Sequence, residues 1–246
     1  MDRLLELAPG DDSLRGLRAR LESSQAAPAA GEGVVSDEFA EARSRIPPPA
    51  AGTPENLIDL SDYYTSPLAD APHTDRPVET YNLSGLTRGI QTLAGVRFDL
   101  RGWVRLLGIY GEPGRSAARE RITGIKIARL CRRLHFLHGT GWVEDEGKEI
   151  AKYVIHYADG QLSERPVRYD NDVRNFIWLA GSEPEEHKDA VRAWSGSNAL
   201  TAENGASLRL YKSVWENPRP DVPVETIDFI STMTACNPFL IAITAE

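Results

Sequence analysis

The stretch "YVIHYADGQL" (residues 153–162) carries the strongest local fold signal in the chain. Asp159 and Gly160 stand between two runs of β-type residues, and a tight hairpin turn needs residues that accept positive φ at this point. The pattern predicts that residues 150–157 and 161–169 pair as a β-hairpin.

Seven further runs of β-type residues lie on either side of this hairpin, with turn residues between them and no convincing long helix. They are 101–110, 122–130, 132–138, 190–196, 206–215, 225–232 and 239–246. Short strands at roughly regular spacing are typical of all-β sandwiches and barrels. We therefore predict a mainly β protein with an antiparallel, jelly-roll-like β-sandwich.

Two segments refine this prediction near the C-terminus. In "WENPRPDVPVETIDF" (residues 215–229), Pro218, Pro220 and Pro223 remove three backbone donors, so the segment should contain an extended connection between strands. The final run, "FLIAITAE", is apolar at successive positions and therefore fits a central strand buried on both faces.

The beginning of the chain differs from the rest in its composition and residue pattern. Residues 1–21 place leucines mostly at helical spacing, with a break and an N-cap in "PGDDS", and this segment resembles the end of a tetratricopeptide repeat. Residues 22–55 are rich in Ala, Pro and Gly, which predicts a flexible linker. Within it, "SDEFAEARSRI" is predicted to form a transient helix capped by Ser36. The β-sandwich domain is predicted to cover residues 56–246.

The overall composition excludes several classes of protein. The formal net charge of −8 argues against binding to nucleic acid or to anionic lipid. Cys131 and Cys236 match no metal or disulfide spacing. The N-terminus lacks the basic start and apolar core of a signal peptide, and no apolar run approaches the roughly 18 residues that span a bilayer. A soluble protein of open oligomeric state and compartment is expected.

Several stretches together resemble a known type of domain. They are "DLSDYYTSPL", "GLTRGIQTLAGVRFDLRGWVRL", "CRRLHFLHGTGW", "YVIHYADGQ", "AWSGSN", "WENPRPDVPVETIDFISTM" and "NPFLIAITAE". The likeness is to a C-terminal module of bacterial multidomain proteins, similar to the galactose-binding-like β-sandwich domains of the carbohydrate-binding NPCBM type. It covers roughly residues 56–246 and implies a jelly-roll scaffold with a non-catalytic role. In such domains the ligand lies in loops at one end of the sandwich.

The histidines of the chain are candidates for a metal site. On a helix, His135 and His138 would share a face, but on a strand their odd separation places them on opposite sides. The alternation in "RLHFLH" favours a strand, with Leu134 and Phe136 inward, and a third ligand at a plausible spacing is lacking. We expect a hydrogen bond between His138 and His156 across neighbouring strands, and no metal site.

Carboxylates could instead indicate a glycan-active hydrolase. Such enzymes hold two carboxylates at a fixed separation across the sugar, whereas Glu144, Asp145, Asp159, Asp170 and Asp172 fall in predicted turns. The oxygen-rich "YDND" (residues 169–172) has ligands suited to calcium, but no EF-type loop supports a calcium site. Neither a cofactor nor enzymatic activity is therefore the first expectation.

A sugar-binding platform needs an aromatic face together with planar polar groups on loops. The stretch "RYDNDVRNFIWLAGS" (residues 168–182) and its neighbours "GTGW" and "AWSGSN" supply both, although tryptophans in a sandwich often belong to the core or its margin. The candidate ligand-binding residues are Trp142, Asp172, Arg174, Trp178, Trp194 and Asn198. The sequence thus favours carbohydrate recognition, with a protein-binding or architectural domain as the first alternative and a hydrolase as the second.

Overall fold

The computed structural model describes residues 39–70, 82–110, 118–179 and 190–246, and these belong to one compact unit. The helices of this part of the chain are short: α1 is Ala40–Ser44 and α2 is Ala199–Glu203. Its strands are β1 Ser66–Pro67, β2 Gly89–Leu93, β3 Val96–Leu100, β4 Gly102–Arg105, β5 Arg121–Arg129, β6 Arg133–Gly141, β7 Glu149–Tyr157, β8 Leu162–Arg168, β9 Ile177–Leu179, β10 Val191–Gly196, β11 Ala206–Glu216, β12 Val224–Ser231 and β13 Asn237–Ala245.

The strands form two main antiparallel sheets and one separate hairpin. The larger sheet has seven strands in the order β1-β4-β13-β6-β11-β10, with β9 pairing to β11. The smaller sheet has the order β5-β12-β7-β8, and β2 pairs only with β3. A mainly β fold is therefore confirmed, while the jelly-roll-like sandwich stays a prediction.

The hairpin predicted around Asp159 and Gly160 is present. Strands β7 and β8 pair antiparallel, and Gly160 has a φ of 81°, the left-handed conformation that such turns require. All nine predicted β-type runs contain a strand. Strand β13 lies between β4 and β6, so the C-terminal run is the interior strand that its two apolar faces predicted.

One buried cluster joins the two main sheets, and we call it the inner core. Its centre is an aromatic stack: the ring centroids of Phe136 on β6 and Tyr153 on β7 lie 4.0 Å apart, and those of Tyr153 and Phe229 on β12 lie 4.8 Å apart. All three side chains are almost completely buried. Burying such rings contributes a large share of the hydrophobic stabilisation.

A second buried cluster covers the opposite face of the seven-stranded sheet, and we call it the outer cluster. Trp103 packs edge-on against Phe239 at 4.7 Å and against Phe176 at 5.9 Å between ring centroids. Phe98 and Leu100 of the β2–β3 hairpin cover these rings from outside. Successive residues of the large sheet, such as Phe136 and Leu137, therefore point into two different apolar layers.

The described end of the predicted linker packs onto the β unit. Phe39 precedes α1 and is 2% exposed, with the Arg119 guanidinium 5.0 Å from the centre of its ring. Arg45 donates two hydrogen bonds to the Asp70 carboxylate, at 3.0 and 2.7 Å. Ser36, the predicted cap of this helix, and the whole of residues 1–21 lie outside the described residues.

The proline-rich segment connects two strands, as predicted, but it is not extended throughout, because Val222 N–H donates to the Arg219 carbonyl at 3.1 Å and closes a turn. It runs between Glu216, the end of β11, and Val224, the start of β12. Asn217 fixes its beginning, because the amide donates to the Cys131 carbonyl at 2.8 Å and accepts from the Tyr157 hydroxyl at 2.6 Å. Both cysteines are buried and free. None of the helices described has the length and apolar character needed to cross a bilayer.

Candidate functional site

The three histidines within the described residues occupy separate environments. His138 is 1% exposed, and its Nδ1 lies 3.2 Å from the Tyr153 hydroxyl oxygen. Burial lowers the pKa of His138 to about 3, so the ring is neutral at physiological pH. His156 lies on the other sheet, where its Nε2 is 3.0 Å from Asp228 Oδ2. The predicted hydrogen bond between His138 and His156 is wrong, because His138 pairs with Tyr153 and His156 pairs with Asp228.

His135 points away from the inner core, as its position on the strand predicts. Its Nε2 lies 2.8 Å from a carboxylate oxygen of Glu246. The hydrogen bond from His135, reinforced by Arg133, lowers the pKa of Glu246, which ties the last residue to β6. Among residues 39–70, 82–110, 118–179 and 190–246, the acidic, histidine and cysteine side chains form no group able to hold a metal ion.

Loops from both sheets meet at one end of the β unit, and we call this region the rim. It consists of residues 106–110, 142–148, 169–175 and 232–236. Gly147 N–H donates to the Tyr169 carbonyl at 2.9 Å, and Ala235 N–H donates to Glu144 Oε2 at 3.1 Å. These bonds hold three of the four loops together. The fourth loop, residues 106–110, is joined to them because Ile109 N–H donates to a carbonyl of residues 232–236.

Trp142 stands on the rim directly after β6. Trp142 is 56% exposed. Its backbone has a φ of 65°, and this conformation is sterically unfavourable for a bulky residue. The Cys236 thiol donates to the Trp142 carbonyl oxygen at 3.7 Å. A glycine turn was expected before Trp142, but β6 continues through Gly139 to Gly141, so Trp142 begins the loop that follows the strand.

Backbone strain concentrates on the rim. Of the five non-glycine residues with positive φ in the described ranges, three lie there: Trp142, Asp170 and Met233. Strained backbone of this kind costs on the order of 1–3 kcal/mol per residue and collects at binding and active sites. The rim is thus the region of the described structure where local conformation departs most from what the sequence prefers.

Arg174, a predicted ligand residue, connects two rim loops. Its side chain is 6% exposed, its Nε lies 2.8 Å from Asp170 Oδ1, and a second nitrogen lies 3.6 Å from Glu146. The guanidinium also lies over the Tyr169 ring at 5.5 Å. Because it is buried among these partners, Arg174 presents little of its own side chain to solvent.

Asp172 is likewise engaged within the protein. One oxygen pairs with the Arg165 guanidinium, and the other accepts from the Arg168 backbone N–H at 2.7 Å. Its side chain is 9% exposed. The oxygen ligands of "YDND" that sequence analysis considered for calcium are therefore partly occupied by arginine side chains.

Trp178 and Trp194 lie on opposite faces of the large sheet. Trp178 on β9 pairs with Ser207, and its ring lies 5.7 Å from the guanidinium of Arg209, on the face of the inner core. Trp194 on β10 pairs with Leu210 and packs against the outer cluster. These two tryptophans cannot contribute to a single stacking platform.

Asn198, the remaining predicted ligand residue, has a capping role. Its side-chain oxygen accepts from Thr201 N–H at 2.9 Å and so begins α2. Its amide nitrogen donates to the Asn82 carbonyl oxygen at 3.0 Å. Of the six predicted ligand residues, the structure places Trp142, Asp172 and Arg174 on the rim and the other three elsewhere.

The structure also contains a cleft that sequence reasoning missed. It has a volume of about 350 Å³ and lies between the segment 49–63, residue Asp99 of β3 and the end of β5. No local motif predicts this cleft, because its walls are 27 or more residues apart in sequence and meet only through packing. The stretch "DLSDY" (residues 59–63) lies on one wall, and in the sequence it contributes only to the family resemblance.

An arginine organises the acidic wall of this cleft. Arg101 is 3% exposed at its side chain and contacts both Asp59 and Asp99, the latter at 2.8 Å. It also donates to Ser61 Oγ at 2.6 Å and lies over the Tyr64 ring. Burial acts to raise the pKa of Asp59, but hydrogen bonds from Ser61 and Arg101 outweigh it, so that pKa is lowered. Asp59 is therefore ionised well below neutral pH.

Comparisons of the whole chain with models of protein families, with curated proteins and with solved structures find no match. The function must therefore be inferred from the geometry of the rim and the cleft.

Proposed function

We propose that the β unit is a non-catalytic, galactose-binding-like recognition module with a jelly-roll-like sandwich, and that it binds carbohydrate at the rim. Two antiparallel sheets that share one buried core support the sandwich. The hairpin β2–β3 adds a further layer outside the large sheet. Loops gathered at one end of the sheets correspond to the place where such modules hold their ligands.

The observation that carries this proposal is the exposure of Trp142. Trp103 and Trp215 are buried, Trp178 and Trp194 are partly buried, and Trp142 presents more than half of its surface to solvent. A tryptophan ring on a fixed loop offers a rigid apolar face with a polar edge. Such a face can stack against the C–H groups of a pyranose ring at small entropic cost.

Polar groups beside Trp142 are suited to sugar hydroxyls. Asp145, Glu146 and Asn171 are exposed, and Asn171 lies beside Gly147 on the adjoining loop. A guanidinium nitrogen of Arg174 lies 3.6 Å from Glu146 Oε1. Carboxylates and amides accept and donate the hydrogen bonds through which proteins orient polar ligands.

Titration with a panel of neutral oligosaccharides tests the proposal. Trp142→Ala is expected to weaken binding by at least about tenfold, which corresponds to about 1.4 kcal/mol. Leu162→Ala is the matched control, because Leu162 is also exposed but lies at the hairpin turn of β8. The absence of any saturable binding, or equal binding by the two variants, would refute carbohydrate recognition at the rim.

A protein-binding role is the second candidate, and one observation favours it. Val143 is 59% exposed and Tyr110 is 79% exposed, so that apolar side chains extend beyond Trp142 over the same rim. Exposed apolar patches mark interaction surfaces when they are contiguous. Recovery of one stoichiometric protein partner that Trp142→Ala releases, together with no glycan binding, would establish this role instead.

A hydrolase remains the third candidate, and its carboxylates have other contacts. Asp170 accepts from Arg174 at 2.8 Å, Asp172 from Arg165 and Glu144 from Ala235 N–H. We therefore assign these acids to loop geometry. Turnover of a glycan that disappears in one of Asp170→Asn, Asp172→Asn or Glu144→Gln, while the other two retain it, would identify an active site instead.

A further inference from the structure

We propose that Asn204 is a site of spontaneous covalent modification, at which the side-chain amide is converted with time into aspartate and isoaspartate. Asn204 is the residue that ends α2, and Gly205 follows it. It is the only asparagine of the sequence that precedes a glycine. Neither residue belongs to the rim, so this reactivity is independent of the proposed carbohydrate recognition.

The reaction joins the side chain of Asn204 to the backbone of the next residue. The backbone nitrogen of Gly205 gives up its proton and attacks Cγ of Asn204, which closes a five-membered succinimide ring and releases the side-chain nitrogen as ammonia. Water then opens the ring at either of its carbonyl carbons. One opening gives aspartate, and the other gives isoaspartate, in which the main chain runs through the former side chain. The net change consumes water and releases ammonia, without an oxidant, a reductant or a cofactor.

The backbone nitrogen of Gly205 is accessible for this attack. Glycine has no Cβ to obstruct the approach, and both residues of the pair are exposed. No atom beyond the adjacent residues lies within 4 Å of the position that a Cβ on Gly205 would occupy. Gly205 N–H donates to the Ala202 carbonyl at 3.4 Å, which is longer than the usual range of about 2.7–3.2 Å. Little stabilisation is therefore lost when this nitrogen leaves its acceptor.

The backbone at Asn204 has to rotate before the ring can close. Its ψ is 8°, close to the helical value, and closure requires Cγ to approach the next backbone nitrogen. Asn204 N–H donates to the Leu200 carbonyl at a distance of 3.2 Å. Because α2 has only five residues, it gains little from cooperative helix formation, and its end opens readily. We expect this opening to supply the reactive conformation.

The other seven asparagines of the sequence have neighbours that disfavour the reaction. Asn217 and Asn237 precede prolines, which have no backbone N–H to attack with. Asn198 precedes an alanine inside α2, and its side-chain oxygen is held by Thr201 N–H at 2.9 Å. In the remaining four, the following N–H donates a backbone hydrogen bond of 2.8–3.0 Å; they are Asn56, Asn82, Asn171 and Asn175.

Asp159 and Gly160 form the only Asp-Gly pair of the sequence, and their surroundings protect them. The Asp159 carboxylate accepts from the Arg219 guanidinium at 3.1 Å and from Gln161 N–H at 3.1 Å. The hydrogen bond from Arg219 lowers the pKa of Asp159, so the group is ionised at neutral pH and is a poor target for a nucleophile. Gly160 N–H donates to the Tyr157 carbonyl at 2.9 Å. This hairpin turn should therefore react more slowly than the end of α2.

Modification changes the contacts where α2 meets β11. The side-chain nitrogen of Asn204 donates to the Leu200 carbonyl at 2.8 Å, whereas an ionised carboxylate can only accept. A negative charge beside the last carbonyls of a helix is unfavourable. Isoaspartate also lengthens the main chain just before Ala206, where β11 begins to pair with β9. We expect α2 to open more often after the modification, while the inner core is unaffected.

Incubation of the full chain at pH 8, with peptide mapping by mass spectrometry over time, tests this inference. Asn204 should lose its amide at least about tenfold faster than any other asparagine, because glycine alone leaves the attacking nitrogen unobstructed. Both products should form, and the rate should rise between pH 7 and pH 9, because the attacking nitrogen must lose its proton. Asn204→Gln should remove the reaction, since glutamine would have to close a larger ring. Asn56→Gln is the matched control and should leave the rate at Asn204 unchanged.

Amide hydrogen exchange measures the structural consequence. Exchange within Ala199–Glu203 should be faster in the modified chain than in the fresh protein, and exchange at Tyr153 should stay the same. Unchanged exchange in α2 would overturn this consequence. The modification itself would be overturned by loss of the amide no faster at Asn204 than at Asn56, by aspartate without isoaspartate, by a rate that does not depend on pH, or by more isoaspartate at Asp159 than at Asn204.

Discussion

The two faces of the seven-stranded sheet pack their aromatic side chains in different ways. Toward the smaller sheet, Phe136 stacks nearly parallel on Tyr153, with 12° between the ring planes, and polar His138 is buried beside them. Toward the outside, Trp103 and Phe239 meet edge-on, at 68°, within the outer cluster, and the buried Arg105 guanidinium lies 5.8 Å from the centre of the Trp103 ring. One face thus combines parallel aromatic stacking with a buried imidazole, and the other combines edge-on aromatic contacts with a buried guanidinium.

The two layers therefore differ in ring geometry and in the kind of polar group that they bury, His138 in one and Arg105 in the other. Buried polar groups are strongly constrained, because each needs its partner and loses stability without it. An apolar cluster tolerates rearrangement better but responds strongly to lost volume. Substitutions on the two faces should therefore differ in kind as well as in size.

The largest effects are expected from truncating one ring on each face. Phe136→Ala in the inner core and Trp103→Ala in the outer cluster should each lower the free energy of unfolding by about 3–5 kcal/mol, because both side chains are completely buried. Urea denaturation measures the change, with Leu162→Ala as an exposed control expected to lie within about 0.5 kcal/mol of the wild type. A loss below about 1 kcal/mol for Trp103→Ala alone would mean that the outer layer does not belong to the cooperative core.

A smaller effect is expected from adding a methyl group to the outer face. A Cβ on Gly139 would lie 2.6 Å from the tip of the Phe239 ring, and Trp103 and Phe176 hold that ring at its sides. Gly139→Ala should therefore cost about 1–3 kcal/mol in urea denaturation, as overpacking does. Restoration of stability in the double variant Gly139→Ala with Phe239→Leu would identify the ring as the cause, and unchanged stability of Gly139→Ala would contradict the close approach.

The third effect separates the faces by pH. Burial lowers the pKa of His138 from 6.5 to about 3, so between these values the unfolded chain binds a proton that the folded protein does not. The free energy of unfolding should therefore fall as the pH decreases through this window. His138→Gln should show a shallower decrease in denaturation measured from pH 7 to 4. Asp59 and Glu246 also have lowered pKa values, so their protonation in acid destabilises the fold. This contribution is the same in the wild type and in His138→Gln.

Control proteins make this comparison decisive. Trp103→Phe alters the outer cluster without a titratable group and should keep the pH slope of the wild type. Equal slopes for the wild type and His138→Gln would show that the imidazole is not held neutral by burial.

Local signals account for the elements that the sequence predicted correctly. Asp159 and Gly160 define the β7–β8 hairpin, and the three prolines after Glu216 exclude a ladder position. The β2–β3 hairpin was not among the predicted strands. Its turn uses Ala94 and Gly95, both at positive φ, and alanine is rarely found there. Strand β9 has three residues, which is too short for a periodic pattern.

The candidate site was predictable only in part. Trp142 was expected on a loop because Gly139 and Gly141 follow an alternating run, and it does lie on one, although β6 includes both glycines. Arg174 and Asp172 share one loop because they are two residues apart in the chain, but their ion pairs with Asp170 and Arg165 depend on how the loop folds back. The opposite orientation of Trp178 and Trp194 depends on the register of β9 and β10 against β11.

The amino-acid sequence by itself determined that the chain is mainly β, where its principal strands run and which turn closes its clearest hairpin. These properties depend on alternation and on residues that accept particular φ values, and both act over a few neighbouring residues. Tertiary structure alone decided the division into two sheets, the covering of both faces of the larger one, the gathering of the rim loops and the cleft beside Asp59 and Asp99. Those features arise from contacts between residues far apart in the chain, and their partners are selected by packing and register rather than by any local pattern.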